Sequence, residues 1–149
     1  MKIIYTIGHS NKPIKTFIEK LVKEGIEVLV DIRTIPYSKY NPQFNRESLK
    51  VDCQEANITY AYRGKNLGGK GGKEANTNWD EAIDELYTKC DNRKIAIMCS
   101  EADPNNCHRQ STIQPDLEKK GVEVSHILWE NSKVKKKNNN AVPVMNTLF

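Results

Sequence analysis

No apolar run in this chain approaches the roughly 20 residues that a membrane-spanning helix needs. The first segment, Met1-Lys2-Ile3-Ile4-Tyr5-Thr6-Ile7, is too short for a signal-peptide core and reads as a strand. The expected location is therefore the cytoplasm, with no membrane partner. Cysteine is sparse as well. The four thiols, Cys53, Cys90, Cys99 and Cys107, read as reduced side chains rather than as a disulfide framework. The short Cys-x2-Cys knuckle of structural zinc sites is missing. So is the Gly-x4-Gly-Lys-Ser/Thr spacing of a Walker loop. No internal repeat is visible.

What is present suits one globular domain. The chain has 149 residues, 38% of them hydrophobic and 28% charged, enough to bury a core. Its net charge of +4 is unevenly placed, because Lys133, Lys135, Lys136 and Lys137 crowd the C-terminal end. Residues 1–130 read as the folded domain, and residues 131–149 as a basic, Asn-rich tail expected to be flexible. A near-neutral body with a short basic tail is weak support for nucleic-acid binding.

Apolar periodicity alternates between strand and helix. Ile3–Ile7 reads as a strand. Pro13 opens a helix with Phe17, Leu21 and Val22 on its apolar stripe, and Gly25 ends it. Val28–Val30 is a second strand, followed by a Pro-containing loop and a helix that Asn45 is placed to cap. Ile58–Tyr62, Lys94–Met98 and Val122–Leu128 read as three further strands. A helix opening at Thr77 or Asn78 precedes Lys94–Met98, and a helix that Pro115 should break or kink follows it. The fold class expected is α/β: a mainly parallel sheet of about five strands with helices on both faces, Rossmann-like. Strand order is not readable from the pattern. In such sheets ligands bind beyond the carboxyl ends of the strands, and here those ends carry Gly8-His9-Ser10, Asp31 with Arg33, and Cys99 with Glu101.

The stretch "CSEADPNNCHRQ" (99–110) places two thiols, a carboxylate, an imidazole and a guanidinium in one loop. Cys107 sits where a helix should begin, a position that lowers a thiol's pKa. Arg109 and Arg33 offer forks suited to phosphate or carboxylate. The candidate catalytic residues are Cys107 and Cys99 as thiols and Glu101 and His9 as acid–base groups. The candidate substrate-binding residues are Arg33, Arg109, Asp31, Ser10, His108, Gly68, Gly69 and Lys70. Adjacent Cys107 and His108 are expected to point apart, so no metal ligand is assigned and no cofactor is named. The "GKNLGGKGGK" stretch (64–73) reads as a flexible loop, either a lid or a solvated linker. Tyr37, Tyr40 and Phe44, interleaved with Lys39 and Arg46, either stack nucleic-acid bases or pack as a loop.

The segments "YTIGHSN", "LVDIRTIPYSKYNPQFN", "NLGG" and "AIMCSEADPNNCHR" resemble, in that order, the family called domain of unknown function 488. The resemblance runs from about residue 3 to residue 128. It implies a compact α/β domain and a set of positions rather than a reaction: Gly8, His9, Ser10, Asp31, Arg33, Pro36, Gly68, Gly69, Cys99, Glu101, Cys107, His108 and Arg109. Lys39 and Lys70 stand where the family usually has arginine, which keeps the charge and loses the fork. Pro115 interrupts a helix that the family keeps unbroken, and the segment after Gly68-Gly69 is short. A looser similarity to rhodanese-like domains lies in a strand ending Asp-x-Arg and a later strand ending in Cys. The expected function is an anion-binding pocket at the carboxyl edge of the sheet, in an enzyme acting through a reactive Cys on a nucleotide-like or phosphorylated substrate. Two alternatives stand beside it: a non-catalytic nucleic-acid or nucleotide-binding module, and a metal or thiol redox sensor. The partner expected is a phosphate- or carboxylate-bearing small molecule, with nucleic acid as a second possibility.

Overall fold

Alternate residues of the strands face two different helical layers, and this period of two organises the molecule. The computed structural model describes residues 1–130, so the lysine-rich tail at 131–149 lies outside the described residues. The strands are β1 (Ile3–Gly8), β2 (Val28–Asp31), β3 (Thr59–Tyr62), β4 (Ile95–Cys99) and β5 (Glu123–His126). They form one five-stranded, wholly parallel sheet in the order β3-β2-β4-β1-β5. Ile4, Val30, Ile95 and Ile97 pack under α4 (Trp79–Lys89) and α5 (Gln114–Glu118). Ile7, Leu29, Ala96 and Met98 pack under α1 (Ile14–Lys23) and α2 (Arg46–Glu55). A short α3 (Gly64–Leu67) follows β3. The α/β class with a parallel sheet and two helical layers is as the sequence pattern indicates. Among the described residues no helix is long and apolar enough to cross a membrane.

Local differences have local causes. Val22 is 56% exposed, because Phe17 and Leu21, with Ile14 and Ile18 beside them, fill the stripe that α1 turns to the sheet. Asn45 does hold the position before α2, but its side chain makes no cap bond. It accepts instead from the Ser38 amide, tying down the loop after β2. Asn78 precedes α4 in a left-handed conformation (φ +56°), also without a side-chain cap. Pro115 does not end the helical run. It lies in the first turn of α5, within a helical run that continues from His108 to Glu118. The residues before it, Arg109–Ile113, form a widened π turn that leaves room for the ring.

The strand order creates the site. From β1 the chain winds outward through β2 to β3, covering one face. It then returns to insert β4 between β2 and β1, and leaves over the other face to β5. At the β1–β4 boundary the two following loops part to opposite sides. A crevice at the carboxyl ends of these strands is the geometric result.

Candidate active site

The loops after β1 and β4 stay zipped for two residues beyond the sheet. The His9 amide donates to the Cys99 carbonyl and the Ser10 amide to the Ser100 carbonyl, each at 2.9 Å. Ser10 takes φ +53°, a left-handed conformation uncommon outside glycine. Gly8 is required by closeness. A Cβ there would stand 1.8 Å from the Glu101 carbonyl oxygen and 2.9 Å from Arg109 Nη1. The crevice opens into a cleft of about 860 Å³, lined among others by His9, Ser10, Arg33, Lys70, Cys99, Glu101, Cys107 and His108.

Asp31 and Arg33 follow β2 on the same side of the chain, as alternation requires. The carboxylate is fully buried and accepts from Arg33 Nε at 2.9 Å and Nη2 at 2.7 Å. Tyr60 adds a short hydrogen bond to Asp31 Oδ2, and Arg33 Nη2 also donates to the Phe44 carbonyl at 2.8 Å. One nitrogen, Nη1, is left facing the cleft with only His9 Nε2 near it, at 3.4 Å. His9 stacks on Phe44 and donates from Nδ1 to the Ser10 carbonyl at 2.6 Å. That bond fixes the tautomer and turns the Nε2 lone pair to Arg33.

Burial, with Arg33 nearby, lowers the His9 pKa to about 4, so the ring is neutral at pH 7. An unfolded His9 takes up its proton near pH 6.5 and the folded one only near pH 4. Its contribution to stability is therefore complete above about pH 6.5 and is lost as pH falls to 4. The loss expected is up to about 3 kcal/mol. Denaturant titrations at pH 7 and at pH 4.5 check it: the wild-type protein should lose more stability between the two than His9→Asn. Equal losses would contradict the assignment.

The thiols lie deeper. Cys99 ends β4, 4% exposed, and its Sγ is 2.8 Å from Cys107 Sγ. Arg109 is fully buried. Its Nη1 donates to Cys99 Sγ and to the Glu101 carbonyl, both at 2.6 Å, and its Nη2 to the Ala102 carbonyl at 3.1 Å. Nε has no partner. Among the described residues no carboxylate lies within ion-pair distance of this guanidinium. The sequence expectation that Arg109 grips a ligand thus meets a different placement. The fork lies behind the thiols, and it is committed to the loop after β4.

His108 is turned towards the thiols as well. Its Nε2 donates to the Leu67 carbonyl at 2.8 Å, leaving the Nδ1 lone pair 3.7 Å from Cys107 Sγ. The expectation that Cys107 and His108 point apart fails because Cys107 is extended (φ −137°, ψ 144°), closing a short turn at Pro104–Asn106. The Arg109 amide adds a 3.4 Å contact to the same sulfur. The hydrogen bond from Cys99, with help from the Arg109 amide and charge, lowers the Cys107 pKa to about 4. Cys99 is pushed up, first by donating to Cys107 and then by burial. The relay runs from Arg109 Nη1–H to the Cys99 sulfur, and from the Cys99 S–H to the Cys107 thiolate.

The glycine loop is tethered, which makes it no free lid. Asn76 accepts from the Gly68 amide at 2.9 Å and donates back to its carbonyl at 2.8 Å. At Gly69 a Cβ would stand 2.7 Å from His108 Nδ1, so only glycine lets the loop lie against that ring. Lys70 is exposed at the cleft, and its amide donates to Thr34 Oγ1. Glu101 is exposed at the rim. Asn76, Thr34 and Tyr60 were not singled out from sequence, since a polar residue in a loop carries no local sign of what it will hold. His126, at the end of β5, is engaged between Thr6 and Gln114. Among the described residues no three His, Cys, Asp or Glu side chains are grouped to hold a metal ion.

The profile of the family described as Domain of unknown function DUF488 matches residues 13–114. The chain belongs to this family. The matched span of this DUF488 member holds Asp31, Arg33, Gly69, both sulfurs of the close pair, His108 and Arg109, while β1 with His9 lies just before it. No curated protein and no solved structure shows significant similarity to this DUF488 chain.

Proposed function

We propose that this DUF488 domain is a thiol enzyme in which the Cys107 thiolate attacks a small molecule bearing phosphate or carboxylate, a nucleotide-like molecule among them. The observation that carries the reading is the buried Arg109 guanidinium without a carboxylate partner, joined through Cys99 to Cys107. A buried cation needs an anion, and a thiolate is the group at hand. The Cys107 sulfur forms a bond to the electrophilic carbon or phosphorus, and the leaving group departs with its bonding pair. Water then releases the thioester or thiophosphate, with Glu101 at the rim passing the protons. Arg33 Nη1, Ser10 and Lys70 are assigned to the anionic part of the ligand, and exposed Ile35 and half-exposed Tyr37 to an apolar part.

Protection from alkylation tests this. Millimolar phosphate or a nucleoside monophosphate is expected to slow iodoacetamide labelling of Cys107. Replacing both Arg33 and Lys70, as Arg33→Lys with Lys70→Ala, should remove the protection, because the fork's directed bond and the second charge are both lost. Labelling indifferent to every anion tried would remove the anion pocket from the reading.

A further inference from the structure

Two sulfurs in near contact offer more than one nucleophile. A disulfide needs about 2.05 Å between its sulfurs, so the 2.8 Å separation of Cys99 and Cys107 closes with a shift of under an ångström. Both are free thiols. They also differ in access: Cys99 is held in the central strand, whereas Cys107 is half-buried on the loop facing the cleft. Cys53 is enclosed on the buried face of α2, and Cys90 ends α4, where it hydrogen-bonds the Tyr87 carbonyl, so neither competes.

We propose that Cys99 and Cys107 form a dithiol–disulfide couple that exchanges with carboxylate-bearing low-molecular-weight disulfides. The proposal rests on the reading above for the reactive Cys107 and for the cleft donors Arg33 and Lys70. In the first step the Cys107 thiolate attacks one sulfur of the small disulfide. A mixed disulfide forms and one small thiolate leaves. Cys107 has now lost its charge, and the guanidinium 2.6 Å from Cys99 Sγ has lost its counter-ion. That imbalance favours ionisation of Cys99, whose proton goes to the departing thiolate. The Cys99 thiolate then attacks Cys107 Sγ, the protein disulfide forms, and the second small thiolate is expelled. The two cysteines lose two electrons and the one proton that Cys99 carried, and one small disulfide becomes one thiol and one thiolate, which takes its proton from solvent. The resulting disulfide leaves Arg109 buried without an anion, so the oxidised protein should unfold at lower urea than the reduced one.

Oxidised glutathione, which carries carboxylates, is the probe, and cystamine, a cationic disulfide, is its control. The wild-type chain is expected to lose two hydrogens and release two glutathione molecules, with peptide mapping joining Cys99 to Cys107. Cys99→Ser should stop at one glutathione on Cys107. If that variant fails to fold, an acid-quenched time course of the wild-type chain must show the Cys107 adduct preceding the disulfide. Glutathione should react roughly tenfold faster than cystamine at low salt. A wild-type chain that remains glutathionylated at Cys107 overturns the couple and leaves the nucleophile standing. No adduct at Cys107 removes both readings. Equal rates with cystamine overturn the preference for carboxylates.

Discussion

Near pH 5, iodoacetamide is expected to alkylate Cys107 and to leave Cys53 and Cys90 unmodified. An ordinary thiol of pKa about 8.5 is then ionised to about 3 parts in 10⁴. Cys107, with its pKa lowered to about 4, is largely thiolate. A thiolate of such low basicity is a weaker nucleophile, by roughly 100-fold over this interval. The gain in ionised fraction exceeds that loss and leaves Cys107 about 30-fold faster than an ordinary exposed thiol. Cys53 is slower still, being fully buried and pushed up to about 12 by burial. Burial raises Cys90 also. The pH profile is the sharper measurement. Labelling of Cys107 should be nearly flat from pH 8 down to 5, where ordinary thiols slow about tenfold per unit. A tenfold fall per unit at Cys107 would falsify the thiolate assignment.

Replacing Arg109 by methionine is expected to destabilise the domain by about 3 kcal/mol. The loss comes from the Glu101 and Ala102 carbonyls and the Cys99 sulfur, all left without their donor in a buried place. It is tempered because the unpartnered Nε leaves with the side chain. For a domain of this size that is a fall in Tm of roughly 6–12 °C. The alkylation profile should move too, with Cys107 titrating at higher pH than in the wild-type protein. A double-mutant cycle of Arg109→Met with Cys107→Ser isolates the link between charge and thiolate. A coupling of about 0.5–3 kcal/mol is expected. Additive effects together with an unmoved profile would show that Arg109 only braces the loop.

The positions of β1, β2 and β4 are legible because Ile4, Ile7, Leu29, Val30, Ile95 and Ile97 sit in short apolar runs between turn residues. That Asp31, Arg33, Cys99 and Glu101 meet at one edge follows from parallel strands alone. The order in which the strands meet is not legible, since pairing Tyr5 with Ala96 joins segments with no local relation. Arg109 misleads for a related reason. A guanidinium in a polar loop reads as facing solvent or ligand. What buries it is the convergence of two backbone carbonyls, which no side-chain pattern encodes. The Gly68-Gly69 loop looks free because its anchor, Asn76, is one more polar residue in a polar stretch.

The insertion of β4 between β1 and β2 bears on how the chain assembles. As synthesis proceeds, β2, α2 and β3 can associate as a crossover unit, but β1 has no neighbour. Both of its partners, β4 and β5, lie about 90 residues or more downstream. Until residue 99 has emerged, the edges of β1 and β2 face a gap one strand wide. Contacts so distant in sequence make folding slow and leave those edges open to intermolecular pairing. The strand that closes the gap ends in Cys99. The sulfur that gives Cys107 its hydrogen bond is therefore set in place by the same late event that joins β1 to β2.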